Sequence, residues 1–177
     1  MEALDVLTAF GSTGRVGLLH PGARLREVVA GYGMPWDTGR IGKRRRWPHL
    51  YSYGDVEFVV CRCRIITSVT VQTWRGTVEL PSRARSGETV ALPARLTFTQ
   101  VADALTAVGC RWERPTPSEG QHGLRTLPQR VDFTFVTDDG PDAVLHVAGT
   151  PVHEHECMPA ADVEAAFADG FPPEQAG

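Results

Sequence analysis

The sequence predicts an α+β fold made of two tandem units, each a helix packed on a small antiparallel sheet, with the two units packed together. Three observations carry this. A helical stripe followed by Gly-x-x-Trp occurs twice: Leu25, Val28, Val29 and Tyr32 precede Gly33 and Trp36, and Val101, Ala104, Leu105 and Val108 precede Gly109 and Trp112 at an offset of 76 residues. Two strand patterns recur at 75 or 76 residues, Val56, Glu57 and Phe58 matching Val131, Asp132 and Phe133, and Val69 and Val71 matching Leu145 and Val147. After each helix the apolar period changes from about 3.6 to 2, as a helix followed by strands requires. Such regular self-similarity marks a tandem duplication. Units of about 75 residues are marginal when isolated because small domains bury a smaller share of their surface, so they are expected to pack on one another.

Each element follows from local chemistry. Leu4 to Phe10 is a short apolar stretch, and Gly11-Ser12-Thr13-Gly14 reads as a turn; it lacks the Lys-Ser/Thr ending of a P-loop and the glycine spacing of a dinucleotide fingerprint. Pro21-Gly22 leads into the first helix, Leu25 to Tyr32, stopped by Gly31, Gly33 and Pro35. A polar loop from Trp36 to His49 is followed by strands at Val56 to Cys63, Ile65 to Thr73 and Thr77 to Leu80. Turn residues and arginine dominate 81–91, the expected linker. The second unit repeats the order: a helix from Phe98 to Val108, a loop from Arg114 to Gln129, a hairpin of Val131 to Thr137 with Ala143 to Val147, and a third strand at Val152 to Glu156. Pro159 opens a last short helix with Val163, Ala166 and Phe167 on one side. The units are thus expected at 1–80 and 92–157, followed by a C-terminal helix and tail at 158–177.

This layout, together with stretches such as Pro21-Gly22-Ala23-Arg24-Leu25-Arg26-Glu27-Val28, resembles the β-lactamase inhibitor protein fold and the related outer-membrane assembly lipoprotein (SmpA/OmlA-like) domains. The resemblance covers about residues 18–150 and implies a tandem helix-plus-sheet fold with binding through its surface. The chain is expected to depart from those proteins in having no secretory signal, and it lacks the inhibitor's disulfide spacing. The resemblance therefore implies neither a target nor a role for any one residue.

Composition narrows the class. The start, Met-Glu-Ala-Leu-Asp, carries acid where a signal peptide carries base, and no run approaches the ~18 apolar residues that span a bilayer, so a soluble cytoplasmic protein without membrane contact is expected. Cys61, Cys63, Cys110 and Cys157 are then free thiols of a reducing compartment. In an extended strand Cys61 and Cys63 point the same way but stand too far apart to bridge. The net charge of −3 hides an asymmetry: the first 130 residues carry 18 basic and 11 acidic side chains, and the remainder ten acids and no Lys or Arg. Such a dipole can steer a charged partner, although a solvated acidic end explains it equally.

Three groups of residues are candidates for chemistry or recognition. In a strand, His153, His155 and Cys157 share one face, and two imidazoles with a thiolate begin a zinc site whose fourth ligand is a water or one of Cys61, Cys63 and His122. No Cys-x-x-Cys or His-Glu-x-x-His spacing accompanies them, and a polar edge strand accounts for the same residues without metal. Arg40, Lys43, Arg44, Arg45, Arg46, Trp47, Tyr51 and Tyr53 combine positive charge with aromatic rings, the residue types that anchor protein interfaces. The chain as a whole is not basic, which disfavours nucleic acid as the partner of that loop. Glu57 and Asp132 occupy matching strand positions and read as outward residues rather than an acid/base pair. No motif specifies a catalytic residue. The expected function is a non-enzymatic protein-binding module that neutralises a toxin or an enzyme by covering its surface, as an immunity or inhibitor protein does. The alternatives are a metal-dependent or small-molecule enzyme using the His153, His155 and Cys157 segment or a cleft between the repeats, and nucleic-acid binding through the basic loop.

Overall fold

The computed structural model describes residues 2–42, 47–84, 86–115, 121–137, 142–169 and 171. It is an α+β protein. Helix α1 (Ala3–Thr13) begins with a capping box in which the Glu2 N–H donates to Asp5 at 3.0 Å, and it closes on Gly14, left-handed at φ 70°, whose N–H reaches the Phe10 carbonyl at 2.7 Å. The expected Gly11–Gly14 turn is therefore the last turn of a helix and its cap. Gly11 has a packing reason to be there: a Cβ at this position would lie 2.7 Å from Leu105 and 3.1 Å from the Phe133 ring. Without a side chain at that point, α1 settles directly on the helix and sheet of the second half.

Helix α2 (Leu25–Tyr32) is followed by β1 (Trp36–Arg40), β2 (His49–Tyr53), β3 (Val56–Val60) and β4 (Ile66–Gln72). Strands β5 (Thr77–Pro81) and β6 (Thr89–Pro93) come next, then α3 (Phe98–Ala107), β7 (Arg111–Glu113), β8 (Gln121–Leu127), β9 (Asp132–Val136), β10 (Val144–Gly149) and α4 (Ala160–Ala166). Helix α3 carries its own capping box between Thr97 and Gln100, and α4 starts at Pro159 as the sequence indicates.

The strands do not form two separate small sheets, one for each expected unit. The described residues form one eight-stranded antiparallel sheet ordered β1-β2-β3-β4-β10-β9-β8-β7. The halves meet edge to edge where β4 pairs with β10, Val71 opposite Ala148 and Gln72 opposite Val147. A bulge between Leu145 and Val147 shifts the register by one, so Leu145 and Ala148 are buried where alternation points to Leu145 and Val147. Phe58 and Phe133, matched in sequence, are both fully buried. They join Leu7, Phe10, Val28, Leu105, Phe135 and others in one apolar cluster under α1, α2 and α3.

Several strands depart from the sequence-based expectation: β1 (Trp36–Arg40) lies in the expected polar loop Trp36 to His49 and β8 (Gln121–Leu127) in the expected loop Arg114 to Gln129, each drawn into the sheet by a neighbouring strand that pairs with it. Residues Thr89–Pro93, overlapping the expected linker, form β6, which pairs with β5 in a two-stranded sheet from Thr77 opposite Pro93 to Pro81 opposite Thr89. This hairpin is tied to the main sheet by Asp55, whose buried carboxylate accepts the Glu79 N–H at 2.8 Å and pairs with Arg75. Gly54 makes the crossing possible at φ 58°, since a Cβ there would stand 2.7 Å from the Glu79 carbonyl oxygen. Val152 to Glu156, expected as a strand, joins no sheet; it runs extended past β4, held by a His153 N–H to Thr67 carbonyl bond of 2.7 Å.

Candidate metal centre

The turn between β3 and β4 places two thiols. Cys61 lies one residue beyond β3, and Arg64 adopts φ 61°, so the chain reverses: the Arg64 N–H reaches the Cys61 carbonyl and the Cys61 N–H reaches the Ile65 carbonyl, each at 2.9 Å. Cys61 and Cys63 thus sit in a turn rather than along a strand, which removes the separation that an extended chain imposes. Both are buried.

The other two members arrive from the far end of the chain. Beyond β10, Thr150 exchanges bonds with Val69, its N–H donating at 2.9 Å and its Oγ1 accepting the Val69 N–H at 3.0 Å. The His153 N–H then binds Thr67, and the Arg62 guanidinium donates to the Cys157 carbonyl at 3.2 Å. These contacts march the segment back along β4 until His155 and Cys157 meet the turn. The sulfurs of Cys61, Cys63 and Cys157 and a ring nitrogen of His155 all lie within 4.8 Å of one another. Four such donors at tetrahedral zinc distances stand ~3.8 Å apart, so a small contraction closes the set.

The surroundings act differently on the three thiols. Burial pushes the Cys61 thiol up to about 11 and raises Cys63 also. Burial acts upward on Cys157 too, but hydrogen bonds from the Cys61 and Cys63 thiols, the Cys63 N–H and the charge of Arg62 outweigh it, and Cys157 is held below the usual thiol range. Three thiolates around a dication would carry a net charge of −1, which the neighbouring Arg62 would compensate. Its Nε is buried without a hydrogen-bond partner among the described residues, a cost that an anionic centre beside it would offset.

A small apolar cluster of Cys61, Cys63 and Val163, with Ile65, Cys157 and Phe167 against it, seats α4 over the site. Arg64 locks the same region, its guanidinium between Trp47 at 4.2 Å and Phe167 at 4.5 Å while its Nε–H donates to the Phe171 carbonyl at 2.9 Å.

Of the residues expected at a metal site, His155 and Cys157 are brought together and His153 is not. With no strand to enforce alternation, the His153 ring lines a separate cavity of about 380 Å³ with His20 and Gln129. His122 lies elsewhere again, with Phe98 and Arg114. Cys61 and Cys63, named from sequence only as possible additions, both belong to the cluster. Their signal is a Cys-x-Cys at the end of a strand matched by a later His-x-Cys.

The expected recognition residues divide. Arg40 is exposed at the end of β1, and Lys43, Arg44, Arg45 and Arg46 lie outside the described residues. Trp47 is half-buried against the core, and Tyr51 and Tyr53 are buried in it, Tyr53 donating to the Gly33 carbonyl at 2.5 Å. Tyr51 and Tyr53 point inward because β2 buries this face of the sheet, so neither presents a surface to a partner. Glu57 accepts from Gln72 at 3.2 Å and Asp132 pairs with Arg125 at 2.7 Å, on strands separated by β4 and β10, which leaves no carboxylate pair. The repeated tryptophans also differ: Trp112 donates to Thr106 at 3.1 Å, whereas Trp36 is 58% exposed and caps nothing.

No helix among the described residues is long and apolar enough to cross a membrane. The chain matches no family model, no curated protein and no solved structure, so its function has to be read from the convergence of Cys61, Cys63, His155 and Cys157.

Proposed function

We propose that the protein binds one zinc ion through Cys61, Cys63, His155 and Cys157, and that this centre is structural. The observation that carries the reading is the placement of four metal-type donor atoms within 4.8 Å by two segments remote in sequence. Thiolate and imidazole are zinc's preferred donors, and four protein ligands complete a tetrahedral site with no position left for water or substrate. A closed site of this kind acts as a cross-link. Here it fastens the segment after β10, and α4 with it, to the β3–β4 turn. The recurrence of a helix and four strands on either side of the β4–β10 seam supports descent from a duplicated unit, and the metal ligands come from both halves.

Zinc content of untagged protein, purified without chelator, tests this. One zinc per chain is expected, together with a cobalt-substituted form whose absorption reports thiolate ligation. Protein that carries no metal and takes up neither zinc nor cobalt would sink the reading.

Protein recognition is a second reading, favoured by the outer strand β1. Trp36 is 58% exposed and Ile41 52% exposed, with Arg40 between them and the basic run following. Aromatic and arginine side chains in this arrangement are typical interface anchors. The layout resembling the β-lactamase inhibitor fold supports the same use, with a toxin or an enzyme as partner. Co-expression with the products of the flanking genes tests it. A complex lost on combining Trp36→Ala with Arg40→Ala supports recognition through β1, and one that survives places the surface elsewhere.

A further inference from the structure

Three sulfurs drawn together on two otherwise separate segments have a second chemistry available, independent of any metal. We propose that Cys157 and Cys63 form an intramolecular disulfide when the metal-free site meets a peroxide, making the site a point of reversible thiol modification.

Access and geometry select this pair. Cys157 is half-exposed, on a segment that belongs to no strand and can shift without breaking a ladder. Cys63, though largely buried, is one of the residues lining a cavity of about 330 Å³ with Arg24, Arg26, Ile65, His155 and Phe167, a space that a small oxidant can enter. Cys61 is not among the residues lining that cavity; its backbone is bonded to Ile65 and Arg64 across the turn. Cys110, in the second half just before β7, is no member of the cluster.

The step balances with hydrogen peroxide as oxidant. The Cys157 thiolate attacks one peroxide oxygen, the O–O bond breaks, an S–O bond forms, and the departing hydroxide takes up the thiol's proton to leave as water. The Cys63 thiolate then attacks the sulfenic sulfur; the S–S bond forms, the S–O bond breaks, and the second hydroxide leaves as water with the Cys63 proton. Two electrons pass from the thiols to the peroxide. A dithiol reductant reverses the change. Because the disulfide consumes two of the four metal donors, oxidation and zinc compete for the site, yet either one ties the segment after β10 to the same turn.

The test uses the full chain, chelated and zinc-loaded, treated with hydrogen peroxide and then alkylated. Metal-free protein is expected to lose two of its four thiols, to fall by about 2 Da in intact mass, and to regain both thiols with dithiothreitol. Trypsin cuts after Arg62 and so separates Cys61 from Cys63, and the linked peptides should contain Cys63 and Cys157. Zinc-loaded protein should react more slowly and release its zinc in step with thiol loss. Cys61→Ser should still form the link, and Cys157→Ser should keep its remaining thiols. A gain of oxygen without a disulfide, a link through Cys61 or Cys110, or a bond between chains would overturn the proposal. Because the metal-free arm needs no zinc, failure to find zinc in the purified protein counts against the structural-metal reading alone.

Discussion

Cys61→Ser is expected to leave the protein without stoichiometric zinc and to lower its thermal midpoint by about 10 °C, while Cys110→Ser changes neither. With free zinc at ~100–1,000 times its dissociation constant, binding stabilises the folded chain by ~3–4 kcal/mol, and the variant forfeits all of it. For a chain of this size ~1 kcal/mol moves the midpoint by ~2–4 °C. Serine keeps the volume but ionises far above the pH at which a thiolate forms, so the effect isolates ligation from packing. Two further readouts follow from the position of the site. Chelation should bring the wild type to the midpoint of the variant and leave the variant unmoved. Limited proteolysis should cut the variant between Gly149 and Ala160, where no strand or helix protects the backbone. Equal chelator sensitivity in the wild type and Cys61→Ser would show that the four residues do not act as a metal centre.

Phe133→Ala should cost ~3–5 kcal/mol, the usual range for removing a fully buried aromatic ring. Phe133 has no exposed surface; it lies on β9 opposite Ala148 of β10 and Leu124 of β8, and its ring edge is what a Cβ on Gly11 of α1 would strike. The cavity would open where α1, α3 and the sheet meet, a place with little room for collapse because the backbone of α1 is already in contact. Thr134→Ala on the half-exposed face of the same strand serves as the control, with an expected change within ~0.5 kcal/mol. Urea unfolding of the three proteins measures both. A loss below ~1 kcal/mol for Phe133→Ala would mean that the helices do not pack on this ring as described.

The parts of the fold legible in the sequence are those governed by local period. The stripes of α2 and α3, the alternation of Val56 to Val60 and Asp132 to Val136, and Pro159 before α4 are all local signals, and the helices and strands stand where those signals put them. What escaped was decided by contacts between distant residues. Gly11-Ser12-Thr13-Gly14 has the composition of a turn, but Gly11 is helical because α1 needs a bare backbone against Leu105 and Phe133. Thr89–Pro93 follows a turn-rich stretch and is a strand because β5 offers it a partner. The metal centre shows the same division. His155 and Cys157 are conspicuous as a pair of ligand types, and Cys61 with Cys63 as another. Only the pairing of β4 with β10 brings the pairs together, and no local pattern encodes that register. His153 was grouped with them by an alternation that holds only inside a strand.

The β4–β10 seam has a consequence for the order of folding. Every other pairing in the large sheet joins strands adjacent along the chain, so β1–β4 and β7–β10 can each assemble as a meander from short loop closures. The seam, and the docking of the segment beyond β10, must wait until both meanders exist. During synthesis the first would emerge with β4 as an unpaired, apolar border until β10 leaves the ribosome some 70 residues later. The interval between those two strands is when this chain is most open to pairing with a neighbour.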